Sequence, residues 1–299
     1  MRRAVAAVLV LALLPVACGH GTATTVTVPI AGRPSAVAVS GGMVWVADDQ
    51  RGVVVAVDER RGRLVGAPIK VGPSPIALAA TTSTVWVGDA TGTLTRIDVR
   101  GRRAAGAPIH VGGVVAGVAV DGGNVWVVDN QNGTLIHVDA KSGDVGQPAT
   151  IAGGAVRVAA RGGAVWVTNG ENTVTPAGGA PVTIGNGPIG LALYDAMVWV
   201  ANSDDDSVSR VPQRPEAGPT TATKVGRGPV AVAAGSDGAW VVSQDARELT
   251  RLAPASGKVA GTSALDTRAR GVALGSDRVW IAGVEPDVVI GVLRSALGG

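Results

Sequence analysis

Apolar residues come in short bursts along this chain, each ended by polar or turn-forming residues. Met43-Val44-Trp45-Val46-Ala47 is followed by Asp48 and Asp49, Val53 to Val57 by Asp58, and Val85-Trp86-Val87-Gly88 by Asp89. Bursts of this length, rich in β-branched residues and bounded by Gly, Asp and Pro, predict strands separated by turns. Beyond residue 17 no segment sustains an apolar period of 3.6 residues, so no long helix is expected.

The bursts repeat. Tryptophans stand at 45, 86, 126, 166, 199, 240 and 280, at spacings of 41, 40, 40, 33, 41 and 40 residues. Such a period marks a repeat architecture. Around each Trp the text is alike: Val44-Trp45-Val46-Ala47-Asp48, Val125-Trp126-Val127-Val128-Asp129, Val198-Trp199-Val200-Ala201-Asn202. Each repeat reads as four short strands, in the first repeat Val37 to Val39, Met43 to Ala47, Gly52 to Val57 and Pro68 to Val71. Gly41-Gly42 and Asp121-Gly122-Gly123 suit a tight hairpin between the first two strands, and Asp58 to Gly62, Asp98 to Gly101 and Asp139 to Gly143 suit the turn between the last two.

Four-stranded units of about 40 residues arranged radially make a β-propeller. The expected fold is therefore all-β, with seven blades. The last repeat offers Val272 to Leu274, Val279 to Ala282 and Val288 to Val292 but no fourth strand, whereas Thr25 to Ile30 is a strand without a repeat. Pairing the two closes the ring and removes an open edge. The predicted blades span 33–72, 73–112, 113–153, 154–185, 186–226, 227–267 and 268–294 plus 25–31, with a tail at 295–299. Seven residues before every Trp stands Ala, at 38, 79, 119, 159, 192, 233 and 273, as expected of strands converging on an axis. The tryptophans themselves are expected between blades.

Trp199-Val200-Ala201-Asn202 and Trp166-Val167-Thr168-Asn169, with lead-ins such as Val71-Gly72-Pro73-Ser74-Pro75 and Ile184-Gly185-Asn186-Gly187-Pro188, resemble the YVTN-type β-propeller repeat family over residues 25–294. The resemblance implies the fold. For function it implies only a range: binding and scaffold modules, DNA-associated exported proteins, lactonases and streptogramin lyases.

Residues 1–17 have the layout of a secretory signal, with Arg2-Arg3 before an apolar run from Ala4 to Val16 and then small Ala17. That run, about 20 Å long as a helix, is too short to span a bilayer. Leu14-Pro15-Val16-Ala17-Cys18-Gly19 resembles a bacterial lipoprotein box, with Pro15 departing from the usual Leu. Cys18, the sole cysteine, is expected to carry the lipid, with 18–24 as a tether and a membrane outer surface as the location. An ordinary secreted protein with a free thiol is the alternative. Without Arg2 and Arg3 the chain carries 24 basic against 23 acidic residues, and no basic run exceeds two, so bulk charge gives nucleic-acid binding no support.

Candidate chemistry is sparse. His20 lies in the tether, and His110 and His137 fall on outer strands where sister repeats carry Lys70, or Arg96, Arg210 and Arg251, so both are read as solvent-facing. Streptogramin lyases look as though they need a His and Glu cluster on the axial face, which these positions do not supply. Zinc, thiol and Ser-His-Asp sites lack their residues, so no metal or cofactor is expected. Asp204-Asp205-Asp206 reads as a solvated hairpin tip rather than a Ca²⁺ loop.

Two sets remain. Asp48, Asp89, Asp129, Asn169, Asn202 and Ser243 follow the first six tryptophans by three residues and end second strands, either as Asx turns or as a ring of acceptors at the channel mouth. Nine residues before each Trp stand Ala36, Ala77, Gly117, Arg157, Gly190, Ala231 and Gly271, so Arg157 is a guanidinium where six sisters carry at most a methyl group. Arg33, Arg227, Arg268 and Arg270 come from lead-ins on the same side, which suits recognition of carboxylate or phosphate. An ion pair of Arg157 with a neighbouring blade's Asp, such as Asp129, is the structural alternative. The sequence is read as a monomeric, non-catalytic binding or scaffold module for a partner protein or anionic ligand. A lactonase- or lyase-type enzyme with its site at the mouth is the second reading, and a DNA-binding propeller the weakest.

Overall fold

The structure, a computed structural model, describes residues 24–214, 218 and 220–297. The predicted signal and Cys18 lie outside these residues. Seven antiparallel sheets form a propeller ring. Blade one consists of β2 (Pro34–Ser40), β3 (Met43–Asp48), β4 (Val53–Asp58) and β5 (Arg63–Lys70) in that order. Its fourth strand thus starts five residues before the expected Pro68, because Leu64 and Val65 already pair with Val57 and Ala56 across a register shift. In blade two the outer strand is broken into β9 (Arg103–Ala104) and β10 (Ile109–His110), both on β8 (Thr93–Asp98). Blade four, whose Trp-to-Trp spacing is 33 residues, has a clipped rim, its third and fourth strands being Thr173–Pro176 and Val182–Thr183.

In blade seven β1 (Thr25–Pro29) lies antiparallel on β29 (Val288–Leu293), with Thr25 opposite Val292. The neighbouring blades are clamped there on both faces. Glu59, buried in blade one, accepts bonds from the backbone and hydroxyl of Ser276 in blade seven. On the other face Asp49 of blade one meets Arg270 of β27 (Arg268–Leu274) at 3.5 Å. Residues past 293 pack as well: Arg294–Leu297 form a 3-10 turn whose Leu297 is buried with Trp240 and Ile290.

Each tryptophan is a wedge between two blades. Trp45 packs with Val85, Val87 and Ile97 of blade two, Trp86 with Val125, Val127 and Ile136 of blade three, and Trp280 with Val44, Val46 and Val55 of blade one. Seven apolar clusters result, one per junction, rather than one central core. At four of the seven tryptophans the residue across the strand completes the contact. Arg96, Arg210 and Arg251 lie over the rings of Trp86, Trp199 and Trp240 at 5.6, 5.6 and 5.7 Å, and His137 lies 4.9 Å from Trp126. His137 and its Arg sisters are therefore stacking partners, not merely solvent-facing positions. His137 also bonds Asn124 at 2.8 Å.

Opposite Trp280 stands Gly291, where a Cβ would come within 2.8 Å of the indole. Trp280→Ala is expected to lower stability by about 3–5 kcal/mol and Gly291→Val by about 1–3 kcal/mol. Leu64→Ala, at a residue 49% exposed, should stay within about 0.5 kcal/mol; denaturant midpoints compare the three.

Candidate functional site

All seven innermost strands open onto the axis, where β2, β6 (Pro75–Ala80), β11 (Val115–Asp121), β15 (Arg157–Arg161), β19 (Pro188–Tyr194), β23 (Pro229–Gly235) and β27 line a cavity of about 160 Å³. Six of the seven carry a register shift against their second strand at their first residues, between Pro34 and Ala36 in blade one and between Ala269 and Gly271 in blade seven. A bulge re-aims the extra side chain, and the residues set free this way, Ser35, Ile76, Ala116, Ile189, Val230 and Arg270, all reach the cavity wall. The next layer holds Ala36, Ala77, Gly117, Arg157, Gly190, Ala231 and Gly271, and the third holds valines and leucines.

Among the described residues, Arg157 and Arg270 are the only charged ones of this lining. Space for Arg157 comes from its neighbour, since a Cβ on Gly117 would sit 3.4 Å from the Arg157 Cα. Arg157 is open to water yet surrounded by the converging blades, and this enclosure pushes its pKa down. Arginine stays charged under such a shift. Its one hydrogen bond among the described residues runs from a guanidinium nitrogen to the Val156 carbonyl, 2.9 Å away. No carboxylate pairs with it there, so the alternative pairing with Asp129 is not formed.

The other arginines divide. Arg33 donates to Asp49 at 2.6 Å, and the bond and charge of Asp49 raise its pKa. Asp49 thereby holds Arg33 and Arg270 together from two blades, a role the repeat pattern does not mark because Asp49 belongs to no recurring column. Arg268 pairs with Asp245 at 3.1 Å and lies 3.8 Å from Glu285. Arg227 is exposed and lies outside the cavity lining.

Asp48, Asp89, Asp129, Asn169 and Asn202 are buried rather than displayed at the mouth. Asp48 Oδ1 accepts from the amides of Arg33, Gln50 and Arg51, and Asp89 Oδ1 from those of Thr91 and Thr93. Asn169 likewise accepts from Glu171 and Thr173, while Asn202 donates to Ser207 and Ser209. Each ties a second-strand turn, and in Asp48 and Asp129 also the loop leading into the blade. Gly72, at φ +121°, is required beside Asp89, whose Oδ2 would lie 2.5 Å from any Cβ there. Burial alone would raise the pKa of Asp129; donors from Gly113, Asn132 and Val114 outweigh it and hold the carboxylate below its ordinary range. In the acidic triplet, Asp205 accepts from Asn186 and Asp206 from the Gly228 amide, which spends both on neighbouring loops. No group of three or more His, Cys, Asp or Glu among the described residues is placed to hold a metal ion.

No family model matches the chain, and no curated protein matches it either. Solved structures do. Virginiamycin B lyase from Staphylococcus aureus superimposes with a TM-score of 0.77 at 15% identity, covering 90% of this chain and 98% of that one. RRP9 WD40 repeats give 0.76 at 12% identity, covering 91% and 98%, and Kuenenia stuttgartiensis hydrazine synthase gives 0.74 at 14%, covering 88% and 96%. At these identities the likeness establishes the seven-bladed propeller and nothing about chemistry.

Two outcomes follow. Arg157→Ala, which restores the methyl group of the sister blades and removes an enclosed cation without an acid partner, should melt no lower than the parent. Asp129→Asn should cost about 1–2 kcal/mol near neutral pH. Because the folded carboxylate titrates below its unfolded value of about 3.9, that cost is fully present above pH ~4 and fades as pH falls through the depressed folded value. Thermal melts across pH 2.5–7 read both.

Proposed function

We propose that this protein is an exported, lipid-anchored, non-catalytic binding module that takes an anionic group at the arginine-bearing mouth of its channel. Arg157 carries the reading: a guanidinium ringed by converging blades and without a carboxylate partner among the described residues, in a channel wall that, Arg270 apart, is built of small and aliphatic residues. An unpaired cation in such surroundings gains more from an incoming carboxylate or phosphate than it would in open water. Arg270, whose link to Asp49 is long at 3.5 Å, stands next to the same space. A cavity of about 160 Å³ is smaller than the roughly 300–1,000 Å³ typical of drug-sized ligands. It suits a small anion, or an acidic side chain presented by a partner protein resting on the rim, better than a whole metabolite.

An enzyme of the lactonase or lyase type is the second reading, favoured by the likeness in fold to virginiamycin B lyase. It needs a side chain able to move a proton near neutral pH, and the lining offers only the two arginines. The anchoring at Cys18 rests on the sequence box.

Calorimetric titration with citrate and with a hexaglutamate peptide tests the proposal. The parent should bind at least one of them with a salt-dependent affinity, and Arg157→Ala with Arg270→Ala should weaken it at least tenfold, while Arg227→Ala changes it little. Equal binding by parent and double variant, or none by either, would overturn the proposal.

A further inference from the structure

A propeller has two faces, and the chain divides its charge unevenly between them. The mouth with Arg157 is on the face of the lead-in loops, whereas the turns between third and fourth strands lie on the opposite face. On that opposite face the turn of blade one carries Arg60, Arg61 and Arg63, and the turn of blade two Arg100, Arg102 and Arg103, all exposed. The two turns adjoin. The Arg102 Nε stands 3.9 Å from where a Cβ of Gly66, on β5, would lie. Against the six arginines stand Asp58, which is bonded within its turn and to Arg61 at 2.9 Å, Asp98, which accepts from its own turn, and Glu59, which is buried on Ser276. The corresponding turns of blades three and six hold one lysine each, Lys141 and Lys258, and no arginine. Arg60, Arg63, Arg100 and Arg102 have no side-chain hydrogen bond or ion pair among the described residues.

The chain that precedes the propeller joins it at this same place. The Thr24 carbonyl accepts from Leu293 and β1 starts at Thr25, at the turn end of the outer position of blade seven, beside blade one. A Cβ on Gly62, between Arg61 and Arg63, would collide with Val26. Residues 18–24, even fully extended, reach only about 25 Å.

We infer that the six-arginine edge of blades one and two is a docking surface for an anionic phospholipid membrane. The inference rests on the reading that residues before Thr24 hold the protein at a membrane. A short tether leaving from the arginine edge brings that edge, and not the mouth, within the ~10 Å over which a charged lipid surface acts. Guanidinium forks suit lipid phosphates. The opposite face, with Arg157 and Arg270, then points into solvent, open to its ligand.

Cosedimentation of the full chain with vesicles tests this, comparing phosphatidylcholine alone with a two-to-one mixture of phosphatidylcholine and phosphatidylglycerol. The mixture should bind more tightly, and Arg60→Gln, Arg63→Gln, Arg100→Gln and Arg102→Gln combined should remove that preference, a drop on the order of 100-fold. Lys141→Gln with Lys258→Gln should keep it, and hydrogen exchange should slow at residues 98–103 only on the mixed vesicles. Arg157→Ala with Arg270→Ala should bind vesicles like the parent, so loss of the mouth ligand and loss of the membrane contact are read separately. Equal binding to both vesicle types, a quadruple variant that behaves as the parent, or stronger capture by duplex DNA than by mixed vesicles would overturn the inference.

Discussion

Crowding at the axis governs this molecule. Seven sheets brought edge-on to a common line leave their innermost strands almost no lateral room, and the chain answers with alanine and glycine wherever those strands approach one another. At Gly190 a Cβ would already stand 2.9 Å from both the Ala201 Cβ and the Ala231 Cα. Large side chains are displaced outward to the junctions, where the tryptophans recover the apolar burial that the axis cannot supply. The paucity of other aromatics fits this division: one indole per junction, packed among valines, fills the space between two twisted sheets.

The same crowding gives Arg157 its character. A guanidinium on a single sheet is flanked by its own blade alone; Arg157, though open to water, is ringed by six small neighbours on converging strands. Among the described residues no carboxylate pairs with Arg157, and the aspartates that end second strands are engaged by backbone amides. Asp48, Asp89 and Asp129 satisfy turn donors that would otherwise be buried without partners. Positive charge is thus left at the axis of a chain in which basic residues outnumber acidic ones only 26 to 23.

Much of this was legible in the sequence. The Trp spacing counts the blades, and the last repeat's missing fourth strand together with the first strand's missing repeat predicts their pairing; the column of alanines marks the innermost strands, but its members pack between blades and do not line the cavity. Arg157 stands out because it breaks a column. What could not be read lies between columns or between blades. Asp49 occupies no recurring position, so nothing along the chain announces that it joins Arg33 to Arg270. The bulges that turn Arg270 and Ile76 toward the cavity depend on sheet twist, not on residue type. The stacking of Arg96, Arg210 and Arg251 on tryptophan needs the cross-strand register, which a shift of one residue would abolish. Six arginines in two turns looked like scattered pairs until adjacent blades placed them side by side.

The pairing of Thr25 with Val292 also has a kinetic side. The first strand of the propeller must wait for the last one before it finds its place in a sheet. Six blades can form from contacts local in sequence, but blade seven closes only across nearly the whole length of the propeller, which makes closure the slow, high-contact-order step. Until then β29 exposes an unpaired edge and the apolar face of blade one lacks its Trp280 wedge. A chain interrupted late in synthesis would therefore be an open arc with adhesive ends, and quality control has one event to monitor: the arrival of the final strand.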